Sequence, residues 1–419
     1  MYFYKKSTAI FHALLFALLL SSCTQAPGIG QNIEELLRAP QLSSVQNAVQ
    51  AELNAHLGKT LQLKYPRSGI YSQPILFNDF NEDGVQEAVV LYVTENTGKN
   101  VQLALLEQQE DKWNVVQQLE GLGTEVVQME LIKLTEKGSQ ILVGYSNAKL
   151  TEKYLVVYSY DGSQMSVMGT YAYEAYLVQD LMNKGTAQLF LAEPMISPDA
   201  ITLQILQETN QTLQTTQTQL LDHRFIHATE ILPTRYGQEY GIVIQGELST
   251  GETANDLFLV KSGGLMRNTS SLQGQIVTQS ARNVPVPAFY QPKQKTAYIP
   301  ALVQTEVEHG FFIEWNHYLA KNPLQRYSFY DAKSHINIRL PLRWHGKITV
   351  NYNAKKNIWN IVDKKTKQKL VSLQILGHDA KVQPENLLNT NAEYQVIADF
   401  SKQCSMADQE LIRQGVTFY

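Results

Sequence analysis

Apolar residues in this chain come in short runs divided by glycine-bearing turns, and many runs alternate apolar with polar positions. A period of two puts successive side chains on opposite faces of a strand, so the pattern predicts β-structure. From about Tyr65 to Pro323 one unit recurs. It reads as an apolar run, a turn and a second apolar run. Copies are Ile75 to Val93, Gln128 to Leu134 with Ile141 to Tyr145, Tyr176 to Leu181 with Ala187 to Leu191, and Ile226 to Leu232 with Tyr240 to Ile244. Further strand pairs fall between them. Val101 to Glu107 pairs with Trp113 to Leu119, and Tyr154 to Tyr160 with Gln164 to Tyr171 through the turn Asp161-Gly162.

Successive copies start roughly 50 residues apart, the period of a four-stranded propeller blade. A single such sheet leaves a face unburied, whereas sheets packed in a ring cover each other. The expected fold is therefore mainly β: a β-propeller over residues 60–323. Five blades are expected, with six or seven also compatible with the spacing. The Gln/Thr-rich stretch Gln207 to Gln219 fits a polar hairpin or a long loop, and Val284-Pro285-Val286-Pro287 an edge strand or linker.

Two flanking segments read differently. In residues 32–58 apolar positions recur at helical spacing, with Pro40 dividing two short helices and Gly58 ending the second. Residues 324–419 hold alternating strands, then a strand at Tyr394 to Asp399 and a helix at Met406 to Arg413 closed by Gly415. This predicts a small α+β domain. Its Leu-Pro-x-x-Trp-x-Gly-Lys strand and Leu-x-Ser-Leu-x-Ile strand resemble a small domain of unassigned function in extracytoplasmic proteins of Gram-positive anaerobes. The resemblance implies an α+β module and no known chemistry.

At the N-terminus, Lys5 and Lys6 precede an apolar run from Ala9 to Leu20. As a helix it would span about 18 Å, short of the ~30 Å of hydrocarbon in a bilayer. The run ends Leu20-Ser21-Ser22-Cys23, which resembles a bacterial lipobox. That resemblance implies removal of residues 1–22 as a signal peptide and lipidation of Cys23. Ordinary signal cleavage after Ser22 is the alternative. Residues 23–31, small and polar, read as a tether. The implied location is the extracytoplasmic face of a bacterial membrane, held by the N-terminal lipid anchor.

One stretch carries chemistry. Asp79-Phe80-Asn81-Glu82-Asp83-Gly84-Val85-Gln86-Glu87 puts oxygen-bearing residues at alternate positions, then a glycine, then a carboxylate. Such a loop wraps a hard cation such as Ca²⁺; a plain Asp-Gly turn with solvated carboxylates is the other reading. With strands on both sides, the loop resembles the integrin-type FG-GAP or VCBS repeat. In that family Ca²⁺ binds between the first two strands of a blade. The resemblance implies Asp79, Asn81, Asp83 and Glu87 as side-chain ligands and the carbonyl of Val85 as the main-chain one. Later copies keep the turn glycines Gly138, Gly185 and Gly237 but lose the carboxylates. The implied role is structural.

Composition narrows the function further. The 419 residues are 44% hydrophobic with a net charge of −4, which suits a core-forming protein and not a nucleic-acid binder. The lysines at 364, 365, 367 and 369 read as a solvated hairpin edge. With Cys23 in the lipobox and its thiol taken by the implied lipidation, Cys404 has no partner for a disulfide. Catalytic signatures are missing from the sequence. Weaker candidates are His309 and His317 with Glu306, Glu308 and Glu314 as an acid/base or metal site, and His223 with His227 as a metal pair. His345 is expected to cap the sheet of the small domain. The sequence therefore points to a cell-surface lipoprotein that binds or scaffolds a protein or glycan partner. The alternative is a hydrolase or lyase on cell-wall or polysaccharide material, stiffened by calcium.

Overall fold

The computed structural model describes residues 42–95, 100–110, 112–181, 185–195, 200–261, 264–267, 277–278, 287–317 and 319–419. Residues 1–53 and 54–419 form two units. In the first, a helix over Ser44–Leu57 begins and buries Val49 and Leu53. Gly58 ends that helix at φ 63°, a left-handed stop open to glycine. Among the described residues no helix is long and apolar enough to cross a membrane.

The second unit is mainly β, and its described residues form six antiparallel sheets in chain order. Sheet I holds Gln62–Leu63, Ile75–Asn78, Glu87–Val93, Gln102–Gln109 and Lys112–Glu120. Sheet II is Glu125–Ile132, Gln140–Ser146, Lys153–Tyr160 and Met165–Ala172, and sheet III is Ala175–Gln179, Gln188–Ala192, Thr202–Thr209 and Thr212–Leu220. Sheet IV comprises Phe225–Tyr236, Glu239–Leu248, Thr253–Lys261, Gly264–Arg267 and Val277–Thr278. In sheet V the order is Phe289–Gln291, Thr296–Gln304, Gly310–Asn316, Leu324–Asp331, Ile336–Leu340 and Val416–Phe418. Sheet VI runs Ile348–Asn353, Ile358–Asp363, Lys369–Gly377, Tyr394–Phe400 and Leu387–Thr390.

Sheets II, III and IV each pack on two neighbours through alternate residues of the same strands. In sheet II, Ile141, Val143, Val156 and Tyr158 face sheet I, while Leu142, Leu155 and Val157 face sheet III. In sheet III, Leu189 and Leu191 turn back to sheet II, whereas Phe190, Ala192 and Ile205 meet sheet IV. Val243 of sheet IV joins Ala297 and Ile299 of sheet V. Sheet V and sheet VI share the largest aromatic core, around Phe312, Phe329, Trp344 and Trp359. Strands buried on both faces read as near-continuous apolar runs, which is why Gln140–Ser146 is buried throughout.

The Gln/Thr-rich stretch is a hairpin. Asn210 and Gln211 form its turn with φ of 52° and 63°, the paired left-handed geometry that matches strand twist. The expected boundary between residues 323 and 324 falls inside sheet V. Leu324–Asp331 pairs with Gly310–Asn316, and Val416–Phe418 returns to the sheet's edge. The expected glycine close of the last helix also differs. Ser405 caps the N-terminus of Met406–Arg413 and Gln414 its C-terminus. Gly415 has instead a packing duty, because a Cβ there would lie 2.4 Å from Arg339 Cβ.

His317, just after Gly310–Asn316, is buried, with Tyr298 edge-on at 6.2 Å, and burial pushes its imidazole down to about 4. Its unfolded value of 6.5 exceeds the folded one, so the folded chain binds fewer protons between these limits. The stability His317 contributes is complete above pH 6.5 and is lost as pH falls towards 4, a difference of up to about 3 kcal/mol. Thermal melts from pH 7 to 4.5 are expected to show a smaller fall for His317→Gln than for wild type.

Candidate metal centre

The acidic loop joins Ile75–Asn78 to Glu87–Val93 in sheet I. Its side chains fold the loop on itself. Asp79 Oδ1 accepts from the Asp83 amide at 3.0 Å and Oδ2 from the Gly84 amide at 2.9 Å. Asp83 Oδ1 accepts from the Val85 amide at 2.7 Å, and Asn81 Nδ2 donates to Asp83 Oδ2 at 2.7 Å. Glu82 at φ 61° and Gly84 at φ 90° make the sharp turns.

Sheet II braces the loop from outside. The Ser139 amide donates to Phe80 O at 2.8 Å, and a Cβ on Gly138 would come within 2.5 Å of that oxygen. Gly162, in the Asp161-Gly162 turn, leaves similar room for Asn81 Nδ2. Lys133 Nζ pairs with Glu82 at 3.1 Å, but both are half exposed and the pair contributes little.

The result is a gathered set of oxygens. One ligand oxygen each from Asp79, Asp83 and Glu87 lie within 4.8 Å of one another. Glu87 is fully buried. Its Oε2 accepts from the Phe80 amide at 2.7 Å, while its Oε1 is buried without a partner. Desolvation pushes this carboxyl up to about 7, Asp83 and Asp79 add repulsion, and the Phe80 N–H works against both. Desolvation, then Glu107 together with Glu87 and Asp83 of this loop, raises the Tyr160 phenol to about 12.

The repeat explains why this is unusual. Gln140 and Gln188 open the corresponding strands of sheets II and III, and both are buried. Gln140 Oε1 accepts from the Leu134 amide at 2.7 Å and Nε2 donates to Thr135 Oγ1 at 2.7 Å. Gln188 Nε2 donates to Thr186 O at 2.8 Å. In sheet II a neutral amide serves that position with both ends used. Sheet I alone of the three places a carboxylate there, and a buried charge needs a compensating one. A hard cation fits the donor set: Asp79, Asp83 and Glu87 supply carboxylates, with Asn81 and the Val85 carbonyl as the further oxygens implied by the loop.

The later copies retain more than their glycines. Gly138, Gly185 and Gly237 all have positive φ, and Asp180 Oδ2 accepts from the Gly185 amide at 2.9 Å, the same bond as Asp79 to Gly84. The carboxylate of the first loop position thus persists in sheet III, where the sequence reading had it lost. The equivalence of Glu87, Gln140 and Gln188 was also missed; their shared place one step before each buried run was the available signal.

The weaker candidates do not assemble. His309 and His317 bracket one strand, Gly310–Asn316. His309 lies between Tyr352 and Trp359, 4.0 Å from Asp331, while Glu314 turns to His345 at 2.7 Å. His345 therefore links to sheet V and does not simply cap sheet VI. His223 approaches Asp222 and His227 approaches Glu174, so the two imidazoles have separate acidic partners. The lysine run forms a hairpin turn of sheet VI, with Lys369 paired to the exposed Asp399 at 2.9 Å. Cys404 is a free, buried thiol. Cys23 lies outside the described residues.

No family model matches the chain, and no curated protein matches it. Among solved structures it is similar to a protein from Lactobacillus plantarum, with 10% identity, 74% of this chain and 93% of that one covered, and a TM-score of 0.31. It is also similar to the exotype rhamnogalacturonan lyase YesX, with 11% identity, 82% and 71% covered, and a TM-score of 0.30. A third is the β-propeller domain of the Trilobed protease from Pyrococcus furiosus, of open velcro topology, with 8% identity, 70% and 79% covered, and a TM-score of 0.27.

Glu87→Gln gives sheet I the neutral chemistry of its siblings. Melting in chelator is expected to rise for this variant over wild type at pH 8. Calcium should raise the wild-type melting temperature by several degrees, and neither Glu87→Gln nor Asp83→Ala should respond. Equal wild-type melts in calcium and in chelator would count against a cation at this loop.

Proposed function

We propose that the chain is an extracytoplasmic lipoprotein that binds or scaffolds a protein or glycan partner and does not catalyse. Sheets I to V act as propeller blades, and one calcium ion stiffens the first. The observation that carries this reading is the burial of Glu87. A cation held there sits against the sheet's interior, and none of the described cavities is lined by residues 79–87. Catalytic metals keep an open position towards substrate, so this placement supports a stiffening role. Packing sheets II, III and IV face to face with their neighbours supports blades, because such a sheet needs a neighbour on each side to bury its strands.

A hydrolase or lyase reading would fall on a cavity of about 630 Å³ where His227 Nδ1 lies 2.8 Å from Glu174 Oε1. The other oxygen of Glu174 is occupied by the Ala228 amide at 2.6 Å. That carboxylate is tied into the backbone, which favours a structural pair.

Fractionation of expressing cells tests the anchor. Wild type is expected with membranes and Cys23→Ser in the soluble fraction; membrane retention of Cys23→Ser would refute lipidation there. Affinity capture from the native envelope, run in calcium and in chelator, tests the scaffold role. A partner retained in calcium and lost in Glu87→Gln supports it, and turnover of a polysaccharide by the purified protein overturns it.

A further inference from the structure

Sheet V spends one face on its neighbours. Ala297 and Ile299 on that face meet sheet IV, and Phe312, Tyr327, Phe329 and Ile338 meet sheet VI. The strand register sets the other face. Phe289 lies opposite Tyr298, Trp315 opposite Arg326, Ser328 opposite Arg339, and Asn337 opposite Thr417. This face holds a cavity of about 280 Å³ whose walls include Phe289, Trp315, Arg326, Asn337, Arg339 and Tyr419.

Charge is unbalanced in this cavity. Two guanidiniums share it, and among the described residues no Asp or Glu side chain lines it. Arg326 is held in place: its guanidinium lies 4.5 Å from the Tyr298 ring centroid and 5.2 Å from that of Phe289, and Nη2 donates to Gln291 Oε1 at 3.3 Å and Gln294 Oε1 at 3.4 Å. Arg339 has no side-chain hydrogen bond or ion pair among the described residues. Burial and the neighbouring Arg326 both lower the proton affinity of its guanidinium. Two like charges brought together with no Asp or Glu among the described walls form a receptor for an anion.

Two further features say what kind. Asn337 is more than nine-tenths buried. Its Nδ2 donates to Thr417 Oγ1 at 3.3 Å, and its Oδ1 has no partner. Buried acceptors are ordinarily satisfied, so this one calls for a donor such as a hydroxyl. The wall is aromatic: Phe289 meets Trp315 edge-on at 5.0 Å, and Trp315 Nε1 is fixed by Ser328 Oγ at 2.8 Å. Rings held this way offer a flat, rigid surface to the apolar face of a ligand ring.

We propose that this cavity binds a small hydroxylated anion, a sugar acid or sugar phosphate. Its carboxylate or phosphate lies between Arg326 and Arg339, and one hydroxyl donates to Asn337 Oδ1. The site is independent of the acidic loop, with which it shares no residue.

Isothermal titration of the full-length protein in detergent with D-glucuronate, glucose 6-phosphate and glucose tests this. Saturable binding of at least one anion, weakened by salt and absent for glucose, is the expected result; which anion binds identifies the charged group. Arg339→Gln should weaken that binding roughly tenfold or more while leaving the fold intact, because Arg339 has no side-chain partner to lose among the described residues. Asn337→Asp supplies an internal carboxylate to the guanidinium pair and should abolish binding with no fall in melting temperature. Absence of binding by both anions, equal binding of glucose, or an unchanged affinity in Arg339→Gln would overturn the proposal.

Discussion

The structure depends on burial of both faces of each sheet. A strand such as Gln140–Ser146 cannot be half solvated, because its alternate residues belong to two different cores. Sheet II is therefore held by sheets I and III at once, and sheets III and IV are held between their neighbours in the same way. Stability of this kind is shared between neighbours, as in repeat proteins, and the loss of one interface is felt by the next. The hydrophobic effect supplies the drive, and strand parity directs it to both sides.

Against that apolar background a buried charge stands out. Sheets II and III answer the same backbone need with glutamine, which is neutral and can donate as well as accept. Sheet I uses Glu87, which satisfies one N–H and leaves an oxygen unpaired beside two more carboxylates. A divergence at a repeated position, with an electrostatic cost attached, is a physical argument for a cation that does not need the loop motif. The motif and the repeat point to the same residues from different directions.

Sheet V presents the opposite imbalance. It carries two guanidiniums with no Asp or Glu among the described walls of their cavity, on a face whose aromatic residues hold one of them rigid. The acidic loop tightens sheet I against sheet II, whereas the basic cavity lies on the face of sheet V opposite its contacts with sheets IV and VI. One cluster suits a structural ion and the other a ligand that comes and goes.

Local features were legible in the sequence because their causes are local. Alternation gave the strands, Asp161-Gly162 marked a hairpin, and the spacing of Asp79, Asn81, Asp83 and Glu87 gave the loop, whose carboxylates lie within a few residues of one another. Chain alone could not show that Val416–Phe418 pairs with Ile336–Leu340, which placed the expected domain boundary inside sheet V. Nor could it bring Arg326 to Arg339, or His345 to Glu314, since strand register decides which side chains share a face. Spacing along the chain determines a turn and its ligands; hydrogen bonding between distant strands determines the company a side chain keeps, and only the folded sheets contain that information.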